Sequence, residues 1–403
     1  MKTAVIGTGI AGLSAAYFLH PHDEITVYEK NNYTGGHTNT VFVEREDAVR
    51  QGIDTGFMVF NHQNYPYLTR LFEQAARSGK NISTVFADKS RLFSPLFYRF
   101  LYEIVRFNRL AHRFIKQSPD SKETTEEFLT RHRFSARFRE LYLYPMAGAI
   151  WSTAADRIGQ FPATGMFTFH KNHGLLGIST HHQWKTVSGG SESYKTALIS
   201  SFKHLIHNGR GAVSVENAAD GVDVKDTSGQ TVRYDRVIIA AHADQALKML
   251  NNPTALQQQV LKRYTYNRSR VFLDSSSAYM PRRRALWSSW NFLYQQESER
   301  EPASVVSYWM NNLQHIPGSR QYYVILDFTD KIQLPHPFFQ TEYEHPLYTT
   351  SNLGASPSPN CLNEENPQQR IFFCGSYMGY GFHEDALRSS VHVCRRLLGR
   401  DVL

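Results

Sequence analysis

Residues 4–16 read AVIGTGIAGLSAA, and Val27, Tyr28, Glu29 and Lys30 follow one short helix later. No other stretch restricts the fold so tightly. It predicts a strand, a glycine turn, a helix, a second strand and an acid. Gly7 permits the tight turn, Gly9 lets backbone approach a pyrophosphate, and Gly12 lets the helix lie close on the strand. Ile10 and Ala11 open the helix, whose N-terminal N–H groups would face the phosphates. Glu29 stands 22 positions after Gly7, near the ~20-residue spacing at which a carboxylate meets a ribose hydroxyl. The motif alone would be weak, but its strand, helix and acid make a dinucleotide-binding start the expectation.

The chain is 403 residues long, enough for two or three domains. No run of ~18 apolar residues predicts a membrane span. The N-terminus enters the first strand at once, so no secretion signal is expected. Cys361, Cys374 and Cys394 form no CxxC pair and read as free thiols of a cytoplasmic protein. The net charge of +8 suits an anionic surface or ligand without identifying one. The basic residues are dispersed apart from Arg282, Arg283 and Arg284, so nucleic acid is not an expected partner. A homodimer is left open.

Residues 1–65, 185–245 and 366–403 read as one discontinuous nucleotide-binding domain. Residues 66–184 and 246–365 read as an interleaved α+β substrate or cap domain. Within the first, Ala212–Glu216, Val222–Lys225 and Val232–Tyr234 predict a β-meander, and DRVIIAA at 235–241 a buried central strand. Ser191 is placed near the N-cap of a helix. Within the second, Leu261–Leu273, Ala303–Met310 and Gln321–Phe328 suggest a further sheet, and 350–368 a loop.

Residues 91–116 predict an amphipathic helix. Phe93, Leu96, Phe97, Phe100, Ile104, Phe107, Ala111 and Phe114 share one face, and Arg99, Arg106, Arg109, Arg113 and Lys116 lie opposite. Two readings stay open: a helix docked on the core with a solvated basic face, or one lying in a membrane interface. Pro145 to Ser152 read as cavity or core lining. His170 and His173 sit three apart, with His181 and His182 beyond. No acid or cysteine completes a ligand spacing, so no metal is expected.

The N-terminal motif, the 235–241 strand and FFCGSYMGYGFHEDALRSS at 372–390 together resemble the flavin-containing amine oxidase and phytoene desaturase superfamily, with its glutathione-reductase-like FAD fold. GGHTNT at 35–40, DTGFMVFN at 54–61, NHGLL at 172–176 and WKTVSGGS at 184–191 are similar to a bacterial subgroup of FAD-binding oxidoreductases. That subgroup is linked with modification of membrane fatty acyl chains. The fold class implied is α/β, a Rossmann-type FAD domain with an α+β substrate domain.

The resemblance implies non-covalent FAD. Gly7, Gly9, Ile10, Ala11 and Gly12 would hold the pyrophosphate, Glu29 and Lys30 the adenosine side, and Gly36, His37 and Thr38 the ribitol–phosphate side. Val213 or Val215 would meet the adenine by backbone, with Ala241 nearby. Asp54, Thr55, Gly56 and Phe57 would pass beneath the flavin ring, and Gly375, His383, Glu384 and Asp385 would approach it. The superfamily's arginine after the double glycine is His37 here, and the glycine that often follows HED is Ala386. His62, Tyr377 and Tyr380 are candidates for a base and for ring-facing aromatics. The implied function is dehydrogenation of an unsaturated or methyl-branched fatty acyl chain of a lipid, on the inner membrane face. The alternatives are an amine oxidase, or a non-catalytic flavoprotein partner of a lipid-modifying enzyme.

Overall fold

The computed structural model describes residues 1–74, 79–81, 95–177, 182–296, 302–328, 330–364 and 369–403. Phe93, His181 and the end of the 350–368 loop lie outside them, as do the side chains of Leu96 and Phe97.

Five parallel strands form the central sheet, in the order Ile371–Phe373, Arg236–Ile239, Lys2–Ile6, Glu24–Tyr28, Ile206–His207. Ala4 lies opposite both Val237 and Thr26, and Ile238 opposite Phe372. Val, Ile and Phe predominate in these strands, as Val5, Ile6, Val27, Val237, Ile238, Ile239 and Phe372 show, because both faces are covered. Side chains alternate between the faces. Val5, Val27, Ile238 and Phe372 meet the helices Ile10–Leu19 and His383–Leu398. Ala4, Ile6, Val237, Ile239, Ile371 and Phe373 meet Val215, Val222 and Val224. The latter belong to an antiparallel meander of Ala212–Ala218, Gly221–Asp226 and Thr231–Tyr234.

A second sheet is antiparallel: Trp290–Gln296, Pro302–Trp309, Tyr323–Asp327, Thr265–Asp274 and Phe339–Leu347, in that spatial order. Two of its strands, Trp290–Gln296 and Phe339–Leu347, are absent from the sequence expectation. Helices between residues 95 and 172 form a third layer around an aromatic cluster of Phe107, Phe114, Phe128, Phe138 and Phe167.

The amphipathic helix runs from Pro95 to Gln117. Phe107, Ala111 and Phe114 of its expected apolar face are buried in that cluster. The face proposed for a membrane is therefore turned into the protein. Ser191 is the first residue of helix Ser191–Ile199, next to its cap as expected. Gly190 takes the cap position at φ 82°, where a Cβ would be strained, and the Ser191 hydroxyl donates instead to Asp54 Oδ1 at 2.8 Å. Among the described residues no helix is long and apolar enough to cross a membrane.

Candidate active site

The glycine turn forms one end of a cavity of about 1460 Å³. Gly7 has φ 101°, and a Cβ there would stand 2.5 Å from the Ala240 carbonyl oxygen. A Cβ on Gly12 would meet the Gly7 oxygen at 1.9 Å. Gly12 thus sets how closely the helix lies and does not itself line the cavity. A Cβ on Gly9, by contrast, would meet nothing within 4 Å, and one added to Gly36 would stand 3.4 Å from the Gly9 Cα. No side chain caps the Ile10–Leu19 helix. Its first N–H groups point to space that a phosphate can fill.

Glu29 is buried beside this turn. Its Oε2 accepts from Thr8 N at 3.0 Å and from the Thr8 hydroxyl at 2.5 Å, and its Oε1 accepts from Asn31 N at 2.8 Å. A carboxylate has about four acceptor positions, so Glu29 retains capacity for a ribose hydroxyl. Lys30, Gly211, Ala212 and Ala241 complete this end.

The middle of the cavity is lined by Gly36, His37, Gly56, Phe57, Tyr343, His345, Gly375, Tyr377 and His383. A Cβ on Gly56 would fall 2.2 Å from the His37 oxygen. The His383 ring stacks on Phe57 with centroids 4.0 Å apart, and its Nε2 shares a 2.5 Å hydrogen bond with the Tyr194 hydroxyl. Burial pulls its pKa down to about 3, so the imidazole is neutral. His345 is pulled to about 4 by burial, and His37 lies well below the ordinary value for the same reason. His37 Nε2, His345 Nδ1 and the hydroxyls of Tyr348 and Tyr377 have no hydrogen-bond partner among the described residues. All four side chains line the cavity. Buried polar atoms are rarely left so, and a polar ligand would satisfy them.

The far end is apolar. Met146, Ala149, Ile150, Trp151, Phe169, Leu175, Trp184, Trp290, Phe292, Tyr308 and Leu313 form it, with Ser152, His173, Gln183 and Asn291 as its main polar members. Burial pulls His173 to about 4, so it too is neutral. Among the described residues, the acids, lysines and arginines of the cavity wall are Glu29, Lys30, Arg268, Glu342 and Glu344. They belong to the nucleotide end, where Glu344 meets His242 at 3.4 Å and Arg268 at 3.3 Å.

Several expected residues lie elsewhere. His62 is exposed, bonded to Thr69 and Lys185, and off the cavity wall. Tyr380 packs on Phe169 behind the wall. Val213 is 48% exposed, and Gly211 and Ala212 take the wall in its place. Thr38 is buried under the wall, bonded to Tyr194 at 2.8 Å. Thr55 is buried there too, bonded to Tyr343 at 3.1 Å. Asp54 is a buried clasp: its Oδ1 accepts from Thr40 Oγ1, Ser191 N and Ser191 Oγ, and its Oδ2 from Gln314 Nε2. Glu384 accepts from the N–H groups of Tyr67 and Leu68, at the start of helix Pro66–Gln74. Asp385 accepts from Tyr380 N and Phe382 N. These acids hold elements together one layer behind the cavity. Tyr343, His345 and Tyr194 escaped sequence reading. The alternation in FQTEYEHPL was the signal for the first two.

Cys374 and Cys394 are buried free thiols, and Cys374 is not on the wall. His170 and His173 each donate from Nδ1 to a backbone carbonyl of their own helix, and His182 bonds the Asn172 carbonyl. Among the described residues no group of three or more His, Cys, Asp or Glu is placed to hold a metal.

A family model of flavin-containing amine oxidoreductases matches residues 10–398. The chain belongs to that family. It is an FAD-dependent oxidoreductase, and the glycine cradle, Glu29 and the unpartnered wall atoms fit the cofactor. Solved structures share the fold at low identity. Putrescine oxidase bound to putrescine aligns with a TM-score of 0.70 at 14% identity, covering 99% of this chain and 100% of that one. Cyclohexylamine oxidase from Brevibacterium oxydans IH-35A gives 0.67 at 16%, covering 98% and 99%. A fatty acid isomerase from P. acnes that produces CLA gives 0.66 at 13%, covering 100% and 98%. No curated protein matches the chain in sequence.

Proposed function

We propose that this oxidoreductase dehydrogenates an unsaturated or methyl-branched fatty acyl chain of a lipid. The observation that carries the reading is the far end of the cavity, where no described wall residue is an acid, a lysine or an arginine. An ammonium substrate entering it would leave water and meet no carboxylate, a costly transfer. A hydrocarbon chain would meet Met146, Ala149, Ile150, Trp151, Phe292 and Leu313. The total volume of about 1460 Å³ exceeds the ~300–1,000 Å³ of a site for one small ligand, which supports room for a dinucleotide and a chain together. The fold shared with a fatty acid isomerase agrees with this reading and does not decide it.

In this reading Gly7, Gly9, Ile10 and Ala11 receive the pyrophosphate and Glu29 a ribose hydroxyl. Gly56, Phe57, Gly375, Tyr377 and His383 surround the ring. FAD held there supplies a two-electron acceptor. Neutral His383, fixed by Tyr194 and Phe57, offers a ring nitrogen without adding charge. Trp151, Trp184 and Phe292 keep water from the chain.

The test is the visible spectrum of the purified protein, followed without oxygen as dispersed phospholipid and then amines are added. Bleaching of the yellow band by lipid supports the proposal. Bleaching by amines alone replaces it with an amine oxidase. Firm FAD with no bleaching by either favours a non-catalytic flavoprotein.

A further inference from the structure

The Pro95–Gln117 helix has a second apolar strip, distinct from the one it buries. Tyr98, Leu101, Tyr102 and Val105 are 56%, 40%, 66% and 45% exposed. They are spaced at i, i+3, i+4 and i+7, so they form one outward stripe. Leu141, 53% exposed, belongs to the neighbouring segment Arg139–Leu143. Phe100 and Tyr142 join the two elements through an edge-to-face ring contact at 6.1 Å. Single exposed hydrophobics are ordinary, but a contiguous set marks a contact surface.

Charge identifies the partner. Arg99, exposed, flanks the stripe, and exposed Arg109, Arg113 and Lys116 continue it along the same side. The acid of this helix, Glu103, is turned inward and only 6% exposed. It accepts from Ser135 N at 2.9 Å and from Ser135 Oγ at 2.7 Å. The outward side of the helix is therefore basic and apolar with no negative charge. The adjoining segment adds exposed Arg137 and Glu140, which offset one another.

We infer that this face of the 95–117 helix, with Leu141, docks the protein on a bilayer rich in anionic lipid. Tyr98, Leu101, Tyr102, Val105 and Leu141 enter the headgroup boundary, and Arg99, Arg109, Arg113 and Lys116 meet lipid phosphates. The location serves the cavity. Arg139–Leu143 runs directly into helix Tyr144–Trp151, which supplies Met146, Ala149, Ile150 and Trp151 to the apolar end. The docking gives the acyl-chain reading its source of substrate and to that extent rests on it.

The test is flotation of the full-length FAD-loaded protein with two sets of vesicles, one containing phosphatidylglycerol and one of phosphatidylcholine alone. Binding is expected to the anionic vesicles and to weaken as salt rises. The triple variant Leu101→Ser, Tyr102→Ser, Val105→Ser should lose roughly tenfold or more in partitioning. The double variant Arg109→Glu, Arg113→Glu should lose the preference for anionic lipid. Both sets lie on the surface, so melting temperature and flavin content should stay as in the wild type. Equal binding to both vesicle types, or wild-type binding by the triple variant, overturns the inference. So does a wild-type dimer in solution that the triple variant converts to monomer, because the stripe then belongs to a second copy. Bleaching by detergent-dispersed lipid is read separately. If it persists while vesicle binding fails, the docking surface alone is refuted.

Discussion

Replacing Asp54 by Asn separates the cost of a buried charge from the value of the bonds it makes. Asp54 is fully buried and joins Thr40, Ser191 and Gln314. Burial pushes its pKa up from 3.8 to about 6, against the lowering effect of its hydrogen bonds with Thr40 and Ser191. A carboxyl that holds its proton more tightly folded than unfolded contributes most stability at low pH. That contribution falls as pH rises from about 4 to about 6, and is constant above. Asn does not titrate. Between pH 4.5 and 7.5 the wild type should therefore lose about 2 kcal/mol relative to Asp54→Asn. The variant keeps an oxygen for Ser191 and Thr40 but turns a donor toward Gln314 Nε2, which costs about 1 kcal/mol at either pH. It should be about 1 kcal/mol less stable than wild type at pH 4.5 and about 1 kcal/mol more stable at pH 7.5. Urea unfolding of both proteins at the two pH values measures this, and every other titrating group cancels in the difference. A difference that does not change with pH would refute the reasoning. Asp54→Ala strands the donors of Ser191 and Thr40 and should cost roughly 3 kcal/mol or more at both pH values.

Gly56→Ala drives a methyl against the His37 oxygen and should yield protein depleted of flavin, read from the visible absorbance after purification. Ala149→Phe fills part of the apolar end. It should leave FAD bound while slowing bleaching by acyl lipid roughly tenfold or more, since even a small misplacement of substrate costs rate steeply. Tyr194→Phe removes the hydroxyl shared by His383 and Thr38. It should cost about 1–2 kcal/mol of stability in urea and leave the flavin content unchanged.

The nucleotide-binding end was legible because few sequences put a tight turn, a close approach and a ribose acid at that spacing. Gly7, Gly9 and Glu29 lie together as their spacing implies. The acids misled. Asp54, Glu384 and Asp385 stand beside glycine-rich or aromatic turns, and their proximity in sequence suggested contact with the ring. They are instead turned to bond backbone and hydroxyl donors one layer behind. Which way a side chain turns depends on partners hundreds of residues away, such as Gln314 for Asp54. The 339–347 strand was missed because its alternation is carried by few apolar residues, Phe339, Tyr343 and Leu347, and Pro346 interrupts it. The 95–117 helix shows the same limit. Periodicity finds the strongest apolar face, and tertiary packing consumed it at Phe107 and Phe114, leaving the weaker stripe outside.

The central sheet also dictates an order of events during synthesis. Lys2–Ile6 is made first, yet one of its neighbours is Arg236–Ile239, which waits in turn for Ile371–Phe373. Gly375 and His383, which close the cofactor cavity, come later still. Such long-range pairing is slow and exposes unpaired strand edges meanwhile. FAD can therefore be captured only after nearly all of these residues have left the ribosome. Until then Lys2–Ile6 keeps an edge unpaired, and scarcity of the cofactor should appear in the cell as aggregation of newly made chains.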